Sequence, residues 1–326
     1  MKNILITGGC GFIGLNLINF FLRNFEFNIR VLDNLLIGSI DDLKHIENVE
    51  EINHGNIFFK KRKIQFLKGD ITNGRICDQA TKNIDCVVHL AANTGVEQSI
   101  KNPFDDLNTN IIGTYNLLNY SKLNNIKKFI FASSGAVIGD TNNPINENKP
   151  HNTKSPYGAS KLSGEGYCKA FFGTYGLNTT ILRFSNVYGP RSKKKTSVVA
   201  NFFKDAIKNG TINIFGDGTQ TRDFIYVKDL CEGIFLAINY SKGGQIFQIA
   251  TQKQTSIKNL AKEIKKIIKK DNQNVIKINY KKKRDGDVLL NYARITKAKK
   301  ELLFNPKINI KKGLDYTYKY YKELLK

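Results

Sequence analysis

No stretch of this 326-residue chain approaches the roughly 20 apolar residues that a membrane-spanning helix needs. A secretory leader is not expected either, because the apolar run at the N-terminus is broken by Gly8 and Gly9 within a few residues. The five cysteines, at 10, 77, 86, 168 and 231, are scattered with no Cys-x-x-Cys spacing, which argues against a disulfide framework and against a metal site. A reducing cytoplasm suits such a chain. Internal repeats and low-complexity linkers are also missing. Acidic residues are few, 28 against 51 Lys and Arg, for a formal net charge of +23. Much of this excess lies in residues 251–326, which carry 20 Lys and 2 Arg against 7 acids. A polybasic surface can attract nucleic acid or anionic lipid. Here the lysines decorate amphipathic patterns such as Ile257, Leu260, Ile264, Ile267 and Ile268, whose other face is solvated Lys. No recognition motif accompanies the charge, so nucleic acid is not an expected partner.

What is present is a hydrophobic content of 41%, enough to bury a core in one large or two ordinary domains. Apolar runs of strand length at Asn28–Leu32, Ile64–Lys68, Cys86–Leu90, Phe129–Ala132 and Thr179–Arg183 alternate with segments of helical period. That alternation predicts an α/β fold with a doubly wound parallel sheet. The first unit is the most explicit. Residues 3–7 form a short apolar run, Gly8-Gly-Cys-Gly11-Phe-Ile-Gly14 follows, and Phe12–Leu22 has helical period. Glycines between a strand and a helix allow a tight turn and a close approach to a pyrophosphate at the helix N-terminus. Asp33 stands at the end of the next strand, 19 residues past Gly14, where a carboxylate accepts hydrogen bonds from a ribose 2'-hydroxyl and repels a 2'-phosphate. NAD is therefore expected in preference to NADP.

A second constellation speaks of chemistry. Tyr157 and Lys161 lie four residues apart, on one helix face, with Ser133 and Ser134 some way upstream. Bringing a tyrosine from a pKa of about 10 to about 7 takes roughly 4 kcal/mol of preferential phenolate stabilisation. A cation about 4 Å away supplies a term of that order at an effective dielectric near 20. The pair predicts a general base for oxidising an alcohol, with the lysine as its activator.

Together these features resemble the extended short-chain dehydrogenase/reductase family, specifically its NAD-dependent nucleotide-sugar epimerase/dehydratase group. The likeness covers nearly the whole chain, through Gly8–Gly14, Asp33-Asn34, Gly69-Asp70-Ile71, His89-Leu-Ala-Ala92, Asn110, Ser133-Ser134, Tyr157–Lys161 and Arg183–Pro190. It continues through Phe215–Val227, with Arg222, and through Arg284–Asp287. The resemblance implies a Rossmann domain at 1–185 plus about 223–240, and a smaller, discontinuous nucleotide-sugar-binding domain at 186–222 plus 241–326. For NAD it implies contacts from Gly8, Gly11, Phe12, Ile13, Gly14, Asp33, Asn34, Asp70, Ile71, Leu90, Ala91, Ala92, Asn110, Ser133, Tyr157 and Lys161. Ser134, Tyr157 and Lys161 would be catalytic, and Thr94, Ser134, Tyr157, Asn186, Val199, Phe215, Arg222, Arg284, Asp287 and Asn291 would meet the substrate. A homodimer pairing the helix around Phe104–Leu118 with the helix of Tyr157 is implied as well. The basic surface would then help to steer a substrate bearing a diphosphate.

The implied reaction is removal of a sugar hydroxyl proton by Tyr157 as C4 gives up hydride, followed by hydride return to the other face. Dehydratases of the group need an acid and a base beside the catalytic hydroxyl residue, and Gly135 and Ala136 supply neither. Epimerisation is the expected outcome, with UDP-glucose/UDP-galactose first. The N-acetylhexosamines come next because Asn291 is intermediate in size where the group has either a bulky aromatic or a small residue. A UDP-glucuronate epimerase, in which Arg191 would pair with the carboxylate, a dehydratase or reductase, and a non-catalytic dinucleotide sensor are the alternatives. A solvated loop position is expected for Arg191, loops for His45, His54 and His151, and a structural role for His89. Ile138 departs from the group, which usually has Tyr there.

Overall fold

A computed structural model describes residues 1–52, 58–59, 64–139, 144–272, 275–283 and 289–325, without the side chain of Asn272. The strands are β1 (Asn3–Thr7), β2 (Asn28–Asp33), β3 (Val49–Glu51), β4 (Ile64–Lys68), β5 (Cys86–His89), β6 (Lys128–Ser134) and β7 (Thr179–Phe184). There follow β8 (Asn186–Tyr188), β9 (Thr211–Phe215), β10 (Thr221–Tyr226), β11 (Gln245–Ile249), β12 (Gln254–Ser256) and β13 (Lys277–Lys281). Eight of them form one sheet in the order β11-β7-β6-β5-β1-β2-β4-β3, parallel at every pairing. Side chains alternate across a strand, so β1 sends Ile4 and Ile6 into one core and Leu5 into the other. Burial on both faces explains why the central strands read as continuous apolar runs.

The chain leaves β1 toward β2 on one side and later toward β5 on the other. The crevice at this reversal, beyond the carboxyl ends of the strands, is where doubly wound folds take a ligand. Gly8 follows β1, Asp33 ends β2, Asp70 follows β4, Leu90 follows β5 and Ser134 ends β6, so residues distant in sequence reach one rim.

Smaller sheets carry the rest. β10 pairs in parallel with β8 and antiparallel with β12, and β9 pairs in parallel with β13. Helix Val198–Asn209, helix Ile257–Asn272 and helix Ile310–Leu324 pack with them around Phe203, which stacks on Tyr318 and Tyr321 with centroids 6.1 and 5.6 Å apart. Ile257, Leu260, Ile264 and Ile268 are buried in this core, as their spacing predicts. Asp223 ties the portions together: its carboxylate accepts from Thr251 N (2.9 Å), Thr251 Oγ1 (2.6 Å) and Gln252 N (2.8 Å). β11 corrects the boundary drawn from sequence. It falls inside 241–326, yet its register with β7, from Gln245–Thr180 to Ile249–Phe184, makes it the edge of the large sheet.

His89 has the structural role expected of it. Its ring bonds Thr7 Oγ1 at 2.8 Å and Thr114 Oγ1 at 2.9 Å, joining β1 and β5 to helix Gly113–Leu123. Burial, aided by the charge of Lys161, pushes its pKa down to about 3. The unfolded chain takes up a proton near pH 6.5 that the folded chain refuses, so stability falls as the pH drops below that value. Between pH 7 and 5 this one group should remove about 2 kcal/mol of unfolding free energy. Urea midpoints across that range would measure the slope, and His89→Gln should flatten it; an unchanged slope would assign the loss to other groups.

Candidate active site

The glycine turn works by close approach. Gly8 has φ +68°, and a Cβ there would lie 2.7 Å from Ala91 N; one on Gly14 would lie 2.5 Å from Gly8 O. Helix Phe12–Asn24 begins at Gly11 with no side-chain cap, leaving the first-turn N–H groups to an anion. Asp33 receives Cys10 N on Oδ2 (2.9 Å) and Leu35 N on Oδ1 (2.8 Å), which fixes the carboxylate at the strand end. Each of its oxygens keeps a further lone pair for a ribose hydroxyl. Asp70 accepts Asn34 Nδ2 at 2.7 Å and Thr72 N at 2.9 Å; burial raises its pKa, but these bonds outweigh it and hold the carboxyl below its ordinary value. Asn110 sits in a π-helical turn, Asn108–Ile112, of the kind that often marks a functional position. It accepts Asn93 N at 2.8 Å and donates to Asn93 O at 3.0 Å, clipping the loop after β5. This arrangement suits a dinucleotide.

Tyr157 and Lys161 occupy the first turns of helix Pro156–Tyr175, which Ser155 caps by accepting from Gly158 N at 3.2 Å. Gly164 lets the helix press onto Phe131, where a Cβ would meet Cζ at 2.4 Å. Lys161 Nζ lies 5.1 Å from the Phe131 ring centre and 6.0 Å from that of Tyr157. Tyr157 is hydrogen-bonded to Ser134, whose Oγ also accepts Ala136 N at 3.2 Å. Ser134, Tyr157 and Lys161 lie close together, but their electrostatics differ from the simple expectation. Burial pushes the phenol up to about 12, against the Ser134 bond, and the Asp106 carboxylate adds to the rise. Burial also draws Lys161 down to about 8. One lysine in a desolvated pocket does not by itself make the phenolate. When bound, NAD supplies a hydride acceptor and, oxidised, a positively charged ring.

Asp106 carries no functional expectation in the sequence. It is 1% exposed, accepts Asn110 Nδ2 at 2.9 Å and is close enough to Lys161 and Tyr157 to influence both. A second buried group belongs to helix Pro156–Tyr175. Glu165 Oε1 accepts from Ser133 Oγ (2.5 Å) and Arg183 Nε (2.8 Å), and Oε2 accepts Arg183 Nη2 (2.6 Å). Ser133 therefore spends its hydroxyl on the core rather than presenting it to the crevice. His151, a loop residue as predicted, meets Arg183 Nη2 at 2.8 Å.

Among the substrate candidates, Thr94 and Asn186 are exposed, Arg222 and Asn291 half-buried, and Phe215 is 36% exposed. Asn186 and Arg222 stand on the paired strands β8 and β10, and Asn186 Nδ2 donates to Asp223 O at 3.3 Å. Val199 is the exception: it is 2% exposed and packed in the core with Phe202 and Phe203. Arg284, Asp287 and His54 lie outside the described residues. Ile138 is fully buried, so its departure from the group changes core packing. Arg191 is half-buried against the glycine turn, not solvated.

The sequence matches the model of the NAD dependent epimerase/dehydratase family over residues 4–250. A putative UDP-glucose 4-epimerase of Methanocaldococcus jannaschii is 37% identical over 316 residues, 95% of each chain. The UDP-glucose 4-epimerase of Thermotoga maritima, solved with UDP-glucose, superposes with a TM-score of 0.88 at 33% identity over the full length of both chains. A UDP-N-acetylglucosamine 4-epimerase of Methanobrevibacter ruminantium, solved with UDP-N-acetylmuramic acid, gives 0.87 at 30% identity over 99% of each. The chain belongs to the NAD-dependent epimerase/dehydratase family, in the nucleotide-sugar group of the extended short-chain dehydrogenase/reductases. It is an NAD-dependent epimerase of that group, and among its described residues no helix is long and apolar enough to cross a membrane.

Proposed function

We propose that the protein interconverts UDP-glucose and UDP-galactose by transient oxidation at C4. The reading rests on one observation: Tyr157, Ser134 and Lys161 converge beside a turn, Gly135–Val137, that has no carboxylate. Ser134 orients the C4 hydroxyl, Tyr157 takes its proton, and Lys161 favours the charged phenol. The resulting 4-keto sugar turns about its diphosphate link, and Tyr157 returns the proton once the other face is reduced. Asp106 is not counted as an acid or base for elimination, because it is buried and its Oδ1 is held by Asn110 Nδ2. Asn291, half-buried and intermediate in size, supports the N-acetylhexosamines as the second substrate class.

The reading includes a cytoplasmic homodimer. Phe104, Leu107, Ile112 and Tyr115 on one helical segment, and Tyr167, Phe172 and Tyr175 on the catalytic helix, are exposed apolar residues on the two elements expected to pair. It also divides the chain into an NAD-binding part, completed by β11, and a sugar-binding part built on β8, β9, β10, β12 and β13. Incubation with UDP-glucose, UDP-galactose and their N-acetyl forms, without added reductant, tests the chemistry. C4 epimers should appear with no net change in NADH, resolved by anion exchange or proton NMR. A dehydrated product, or a requirement for added NADH, would overturn it.

A further inference from the structure

The loop that follows β8 reaches across to the glycine turn and is fastened there. Asn16 Nδ2 donates to Pro190 O at 3.0 Å, Lys193 Nζ to Asp42 Oδ1 at 2.5 Å and Lys194 Nζ to Gly38 O at 3.2 Å. The cleft so enclosed is lined by Cys10, Gly11, Phe12, Gly38, Arg191 and Lys195, among others. Lys193 and Lys194 are occupied with the fastening. Among the described residues, Lys195 Nζ and the Arg191 guanidinium form no hydrogen bond or ion pair, although Arg191 feels the charges of Arg23 and Asp42. Burial lowers the pKa of both groups. Arg191 holds φ +64°, a left-handed backbone that a side chain adopts at a cost and that recurs at ligand clamps. Two desolvated cations and an uncapped helix N-terminus thus face one space, and each needs an anion.

We propose that Arg191 and Lys195 grip the diphosphate of the dinucleotide against the N-terminus of helix Phe12–Asn24, making residues 190–197 a cationic clasp over the cofactor. The first-turn N–H groups take the inner phosphate oxygens. The outer oxygens then face the cleft, where a guanidinium fork gives two bonds and an ammonium gives a point charge. The dinucleotide is favoured over the substrate as the source of this diphosphate because Gly11 and Phe12 line the same space, with Lys194 close enough to influence Asp33. The clasp concerns the cofactor alone and stands whichever sugar is turned over. It ties cofactor retention to the Lys193–Asp42 and Lys194–Gly38 tethers.

Calorimetric titration of the dinucleotide-free full chain with NAD, ADP-ribose, adenosine and UDP tests it. Lys195→Gln and Arg191→Gln should each weaken NAD and ADP-ribose by on the order of 10-fold or more, with adenosine and UDP unchanged within about twofold. Lys195→Arg should recover most of the affinity, and the loss should shrink as salt is raised. Three results would overturn the proposal: NAD affinity unchanged in both variants, adenosine weakened as much as ADP-ribose, or UDP weakened alone. Tighter binding of NADP than NAD, abolished by Lys195→Gln, would assign the cations to a 2'-phosphate and overturn it as well.

Discussion

Replacing Tyr157 by Phe should lower turnover by about 100- to 10,000-fold, the range associated with a single proton-transfer group. Only the hydroxyl is lost, so the ring contact with Lys161 and the fold should persist. Bound dinucleotide per chain should stay at its original level, and KM should change little, because the hydroxyl acts chiefly where the proton moves. The protein alone holds this phenol near 12, so activity should rise with pH wherever the phenolate fraction limits the rate. Quenched assays with UDP-galactose, with the dinucleotide content of the same sample quantified, separate these effects. Activity within about tenfold of the original would remove Tyr157 from the proton-transfer role.

Removing Glu165 should cost about 3–5 kcal/mol of stability, because Arg183 would be left as an unpaired charge. Arg183 is 0% exposed and Glu165 1%, so water does not compensate the guanidinium. Glu165→Ala should shift the urea midpoint strongly downward; Glu165→Gln, which can still accept from Ser133 and Arg183, should lose less. A double replacement, Glu165→Met with Arg183→Met, should be less damaging than either single change, since both charges go together. A Glu165→Ala variant within 1 kcal/mol of the original would contradict the account. The consequence is functional too: this cluster joins β6, β7 and the helix that carries Tyr157 and Lys161.

The sequence discloses elements in proportion to how locally they are specified. β1, β2 and β4–β7 are buried on both faces and read as apolar runs, so residues 3–7 and 64–68 coincide with the observed strands. β8 and β12 span three residues each, and Gln254–Ser256 contains no apolar side chain; tertiary pairing, not a local pattern, makes them strands. β11 carries three buried apolar residues, Ile246, Phe247 and Ile249, but its place beside β7 depends on pairing across some 65 residues of chain. The same contrast runs through the site. Tyr157 and Lys161 are legible from a helical interval, and Gly8, Gly14 and Asp33 from a strand-turn-helix context. Glu165 with Arg183, and Asp106 with Lys161, are pairings that no local period announces. Val199 shows the same contrast: its helix is amphipathic, and Val199 falls on the face turned into the core. Phenol ionisation could not be read from spacing, because it depends on how completely water is excluded.

β11 bears on biosynthesis. During translation, residues 1–184 can assemble seven strands while the far side of β7 still has no neighbour. The missing strand emerges only after helix Val198–Asn209 and β9–β10 have left the ribosome. Until Ile249 is available, β7 presents an apolar parallel edge of the kind that captures other chains. A nascent polypeptide stalled or truncated before that point should therefore leave this edge unpaired, and the last strand of the sheet acts as its seal.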